Sequence, residues 1–115
     1  MRGQSGAAFS TDQSESSAVV RERVAAARQA AAHRWREYGW LTNAEVPGHI
    51  LRQRFRLPPE AIAPVETALR LGRMSARGAD RAIRVAWTIA DLRAAALPTD
   101  RDVLAALNFR QRGAP

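Results

Sequence analysis

Residues 75–92 read SARGADRAIRVAWTIADL, and this stretch decides the fold. Ile83, Ala86, Trp87 and Ala90 recur at three- and four-residue steps, the spacing of one face of an α-helix. Val85, Ile89 and Leu92 widen that face. Ser75 stands where a hydroxyl can accept from an otherwise unpaired amide of the first turn. The same helix carries Arg77, Arg81 and Arg84 at helical offsets, so all three share a second face. A helix with an apolar stripe and a basic face needs other helices to cover the stripe.

The flanking sequence supplies them. Val20, Val24, Ala27, Ala31 and Trp35 form a stripe on a first helix, expected to be capped by Ser16 or Ser17 and to end near Tyr38. Gly39 then offers the permissive backbone that commonly closes a helix. Residues 1–15, rich in Gly, Ser and Gln, read as a disordered lead-in or linker. LTNAEVPGHILRQRF reads as a loop and a short helix, with Pro47 at its start and Ile50, Leu51 and Phe55 inward. RLPPEAIAPVETALRLG holds a third helix with Ile62, Val65 and Leu69 as its stripe, closed by Gly72. Pro64 removes a backbone donor, so a turn through residues 58–62 is expected before the helix proper, or a bend. In ALPTDRDVLAALNFR, Thr99 and Asp102 have the spacing of a capping box, and Val103, Leu104 and Leu107 are expected in the core. No strand alternation of useful length occurs. The predicted class is all-α, a compact bundle of about five helices over residues 16–112, with a short tail at 113–115.

Composition narrows the chemistry. The 115 residues suffice for one small core without staples. Cysteine is absent, and no apolar run reaches membrane-span length, so a soluble, cytoplasmic setting with no membrane partner is expected. The net charge of +7 comes from 18 arginines and no lysine, which points partly to GC-rich coding. Such a charge favours nucleic acid as partner, although the arginines are spread along the chain rather than clustered. A P-loop needs a lysine for the β/γ-phosphates, and none exists here. His33 and His49 lack carboxylates or cysteines at metal-ligand spacing, so no metal site and no role for either is expected. No nucleophile elbow occurs. The chain is not expected to be a complete enzyme, and no catalytic residue is assigned within it.

The row Arg77, Arg81, Arg84 has two readings. It is a solvated face with Asp80 as a local ion-pair partner, or it is an anion site, because guanidinium presents a rigid fork that fits phosphate. Arg77 is the most suggestive, since the first turn also offers amide donors and the positive end of the helix dipole. Gly78 beside it would allow close approach of a ligand or another backbone. Arg21, Arg23 and Arg28 on the first helix and Arg52, Arg54 and Arg56 on the second could contact phosphates. Trp35, Tyr38 and Trp40 would then serve as stacking platforms. The alternative for these aromatics is core or edge packing. RLGRMSARGADRAIRV matches a helix-turn-helix only weakly.

Several of these segments, in this order, resemble a known family. SARGADRAIRVAWTIADL followed by ALNFR is similar to the C-terminal segment of magnesium-chelatase-like AAA+ ATPases of the YifB/ComM group. The helix VRERVAAARQAAAHR and the turn TNAEVPG also match that pattern. The resemblance covers roughly residues 16–112. Ala31 stands where the pattern has glutamine, Trp87 where it has arginine, and Phe109 where it has tyrosine. Trp87 is therefore expected to add apolar surface, buried or covered by a neighbouring domain. The resemblance implies an AAA+ lid. ATP and Mg2+ would be bound by a core domain of the same chain, working with neighbouring subunits in a ring, expected to be hexameric. It also implies that Arg77 falls on the sensor-2 arginine that reaches the γ-phosphate, with Arg81 and Arg84 weaker candidates. DNA is a candidate substrate of the assembly. A stand-alone basic nucleic-acid-binding module and a part in a magnesium chelatase complex are the alternatives.

Overall fold

The computed structural model describes the backbone of residues 7–113 and the side chains of residues 17–109. Five α-helices follow one another: α1 (Ala7–Arg34), α2 (Gly48–Gln53), α3 (Pro59–Arg70), α4 (Ala76–Leu92) and α5 (Asp100–Gly113). Two short 3-10 turns, Arg36–Tyr38 and Asn43–Glu45, lie between α1 and α2. No strand occurs among the described residues, and none of their helices is long and apolar enough to cross a membrane.

α4 is the central element, and α1, α2, α3 and α5 all pack on it. Its buried side is Gly78, Ala79, Ala82, Ile83, Ala86, Trp87, Ala90 and Asp91. Alanine dominates that stripe, which lets neighbouring helices approach closely with little side-chain entropy to lose. The large side chains come from the elements that cover it. Trp35, Val46, Leu51, Val65 and Val103 are fully buried, and Phe55, Tyr38, Trp40 and Ile62 pack at the margin.

The helix ends follow local chemistry. Ser75 Oγ accepts from the Gly78 amide at 3.1 Å, as expected of a cap. The Thr99 amide donates to Asp102 Oδ2 at 2.9 Å and the Asp102 amide to Thr99 Oγ1 at 3.5 Å, a reciprocal box at the start of α5. At the C-terminus of α4 the amides of Ala94 and Ala95 donate to the carbonyls of Asp91 and Ala90, at 3.0 and 2.9 Å. That pattern places Ala94 in the left-handed region, φ 60°, where glycine is usual, at a cost of about 1 kcal/mol. Gly39 and Gly72 take the same conformation without that cost.

The structure differs from the sequence reading at several places. α1 runs without a break from Ala7, so neither Ser16 nor Ser17 is a cap; both lie inside the helix. Residues 1–6 of the expected lead-in and 114–115 of the expected tail lie outside the described residues. Ser17–Arg23 are exposed, and the buried stripe of α1 begins only near Val24, so Val20 does not join it. α3 starts at Pro59 and passes through Pro64 without a separate turn. The proline deletes one bond to the carbonyl of exposed Glu60 near the helix start, where water can replace it. Leu69 and Leu104 are exposed, not core; Ala61 and Ala106 occupy the inward positions instead.

Asp102 joins α5 to the end of α4. Arg93 Nε and Nη2 donate to its two carboxylate oxygens at 3.0 and 2.6 Å. Burial pushes the Asp102 carboxyl up, but the guanidinium of Arg93 and the amide and hydroxyl of Thr99 outweigh it and hold the group below its ordinary value. A carboxylate depressed in the folded state contributes stability above its unfolded value near pH ~4, and that stability is lost as pH falls through the folded value. Asp102→Asn should therefore lower stability at pH 7 by about 1–2 kcal/mol, the worth of a cap. The gap to the parent should close towards pH 3. Urea midpoints at the two pH values check this, and a gap that widens on acidification contradicts it.

Candidate phosphate-facing helix terminus and the network behind it

The three arginines of α4 have three different environments. Arg77 lies in the first turn, exposed, and makes no ion pair or side-chain hydrogen bond among the described residues. Arg81 is also exposed and makes no ion pair or side-chain hydrogen bond among the described residues. Arg84 is half-buried, and its Nε donates to the Val46 carbonyl at 2.7 Å, pinning the loop before α2 onto α4. Asp80 is not the partner of this row. Its carboxylate pairs with Arg52 Nη1 of α2 at 2.5 Å. Gly78 is buried, so what approaches it closely is the domain itself rather than a ligand from solvent.

The start of α4 borders an open apolar groove of about 580 Å³ between α2, α3 and α4. Leu51, Leu57, Ile62, Val65, Leu69 and Ile83 line it, and the Arg52–Asp80 pair sits on its rim. Among the described residues no group of three or more His, Cys, Asp or Glu side chains converges as a metal site. At the start of α4 the exposed Arg77 guanidinium and the positive end of the helix dipole suit an anion, while the Gly78 amide is already taken by Ser75 Oγ.

Behind this terminus lies a buried polar network that reading the sequence did not single out. Asn43 is 5% exposed and its side chain makes four hydrogen bonds. Its Oδ1 accepts from Arg34 Nη1 at 3.0 Å and from Trp35 Nε1 at 2.9 Å. Its Nδ2 donates to Thr88 Oγ1 and to Asp91 Oδ2, each at 3.0 Å. Arg34 also forks onto both oxygens of Asp91. Thr88 Oγ1 donates to the Arg84 carbonyl at 3.2 Å. α1, the 3-10 turn at Asn43 and α4 are thereby bound through one fully satisfied cluster. The available signal was the spacing of Thr88 and Asp91 on α4 and the asparagine in TNAEVPG, all within segments that carry the resemblance.

Trp87 is buried at 3% exposure, as one of the two expected outcomes held. Its indole Nε1 has no hydrogen-bond partner among the described residues, while the Arg34 guanidinium lies over its ring at 4.3 Å from the centroid. The other aromatics pack on one another. Trp35 meets Phe55 edge-on at 4.4 Å, and Tyr38 stacks on Trp40 at 4.8 Å, with Arg54 over the tyrosine ring. Trp35 is therefore not a stacking platform for bases. His33 and His49 are exposed.

The described residues form an all-helical bundle organised on α4, whose first turn presents Arg77 to solvent. Residues 14–110 match the family described as magnesium chelatase, subunit ChlI C-terminal, and the chain belongs to that family. It is 53% identical over 107 residues to the uncharacterized protein Rv2897c of Mycobacterium tuberculosis H37Rv and to the uncharacterized protein Mb2921c of Mycobacterium bovis. The match takes in 93% of this chain but 21% of either relative, so the chain spans about a fifth of their length. No solved structure gives a significant match.

Proposed function

We propose that the chain is the lid of a YifB/ComM-type AAA+ ATPase and that Arg77 reads the γ-phosphate of ATP as a sensor-2 arginine. One observation carries the reading: of the three arginines on α4, Arg77 combines an exposed first-turn position with freedom from any carboxylate among the described residues. Family membership supports the lid assignment. Arg84 is held by Val46, which leaves Arg81 as the second candidate. Mg2+ and most of the nucleotide would be held by a core outside residues 7–113, in a ring of subunits. The lid's own residues supply a positive charge at the transferring phosphate, and they couple its presence to the position of α4. Arg77→Ala in the longer ATPase should lower turnover on the order of 10²-fold while leaving helical content and melting temperature unchanged. Unchanged turnover overturns the assignment.

DNA is the favoured substrate of the assembly in this reading, and the exposed arginines Arg21, Arg23 and Arg28 of α1 support it. A stand-alone nucleic-acid module would show tight DNA binding by this chain alone, falling steeply with salt. A part in magnesium insertion into a porphyrin is the alternative that the family description favours.

A further inference from the structure

Asp80 occupies a position that makes its pairing with Arg52 consequential. On α4 its helical neighbours are Arg77 three residues before it and Arg84 four residues after it, the two spacings at which a carboxylate and a guanidinium meet on a helix. Neither pairs with it. Arg84 is turned to the Val46 carbonyl at 2.7 Å, and the Asp80 carboxylate is turned to Arg52 on α2 at 2.5 Å. Gly48 makes room for that orientation. A Cβ there would lie 2.7 Å from Asp80 Cγ and 2.8 Å from Arg52 Nη1, and would collide with the carboxylate oxygen. The Asp80 side chain is 16% exposed while that of Arg52 is 54% exposed, so α2 brings a surface arginine to a carboxylate already set against the domain.

We infer that Arg52, admitted by Gly48, is a positioning residue: it draws the Asp80 carboxylate away from Arg77 and so keeps the Arg77 guanidinium available to phosphate. This rests on the assignment of Arg77 as the phosphate-reading residue. Without Arg52, Asp80 becomes the nearest unpaired carboxylate on the same helix face. It then neutralises Arg77 and repels an incoming anion. The short helix α2 thereby sets the charge presented by α4.

The test has two readouts on this chain and one on the ATPase. The Nε–Hε resonance of Arg77 should differ between Arg52→Ala and Arg52→Ala/Asp80→Asn, and should not differ between the parent and Asp80→Asn. This coupling is independent of any phosphate chemistry. Tripolyphosphate titrated against the same resonance should show affinity lowered about three- to fivefold in Arg52→Ala and restored in the double variant. In the longer ATPase, turnover should follow the same order. A structural role for Arg52 predicts no rescue by the second substitution, so failure of rescue overturns the inference, as does an unperturbed Arg77 resonance in Arg52→Ala. Loss of ATPase in Arg77→Ala combined with no effect of Arg52→Ala would sink this inference alone. The coupled resonances with normal ATPase in Arg77→Ala would sink the sensor-2 reading alone.

Discussion

Asp91→Ala is expected to cost about 3–5 kcal/mol, the range for removing one partner of a buried charge pair. Asp91 is 5% exposed, and its carboxylate accepts a two-pronged pair from Arg34 and a further bond from Asn43. Truncation leaves the guanidinium of Arg34, itself only 14% exposed, without its counter-charge beside the buried ring of Trp87. A domain of this size has a total stability of about 5–15 kcal/mol, so most of it would be lost. Arg34→Met/Asp91→Ala should cost no more than Asp91→Ala alone, because the unpaired charge leaves with its partner. Urea unfolding followed by helical circular dichroism measures both. A loss below about 1 kcal/mol in Asp91→Ala would show that water reaches the site and that the cluster contributes little.

Trp35→Ala is expected to cost a similar amount, about 3–5 kcal/mol, for a different reason. The side chain is completely buried and holds the crossing point of the aromatic cluster, with Phe55, Trp40, Tyr38 and Trp87 all within 6.5 Å centroid to centroid. Its removal leaves a large void among side chains from α1, α4 and the turn before α3, and those elements cannot all collapse inward together. Trp35→Phe separates the two contributions. It keeps much of the ring volume and deletes the 2.9 Å bond to Asn43, so it should cost about 1–3 kcal/mol. Equal losses in the two variants would assign the whole effect to the hydrogen bond and refute the packing account.

Much of the architecture was legible because it rests on local rules. The helical stripes of α1 and α4, the Ser75 cap, the Thr99–Asp102 box and the closing glycines at 39 and 72 each follow from a few neighbouring residues. The errors share a cause as well. Leu69 and Leu104 have the right period for the core but lie on flanks that no other described helix covers, while alanines at 61 and 106 face inward. Periodicity reports a face; it does not report which edge of that face a neighbour will reach. Pro64 raised the expectation of a preceding turn or a bend because its cost was counted without its place near the start of α3, where one lost bond falls on a carbonyl beside solvent.

For the candidate site, the sequence by itself determined that α4 exists, that it is capped at Ser75, and that Arg77, Arg81 and Arg84 share its outer side. Those are consequences of spacing along one chain segment. Only the tertiary structure decided that the three are unequal. Whether a guanidinium is free depends on acceptors brought from elsewhere: the Val46 carbonyl takes Arg84, and the Asp80 carboxylate, three residues from Arg77, pairs with Arg52 instead. The same holds for Arg34, Asn43 and Asp91, which reading the sequence left unremarked and which the fold joins across α1, a loop and α4. Hydrogen bonds and ion pairs act over about 3 Å in space, and spacing along the chain carries that information only within a helix turn.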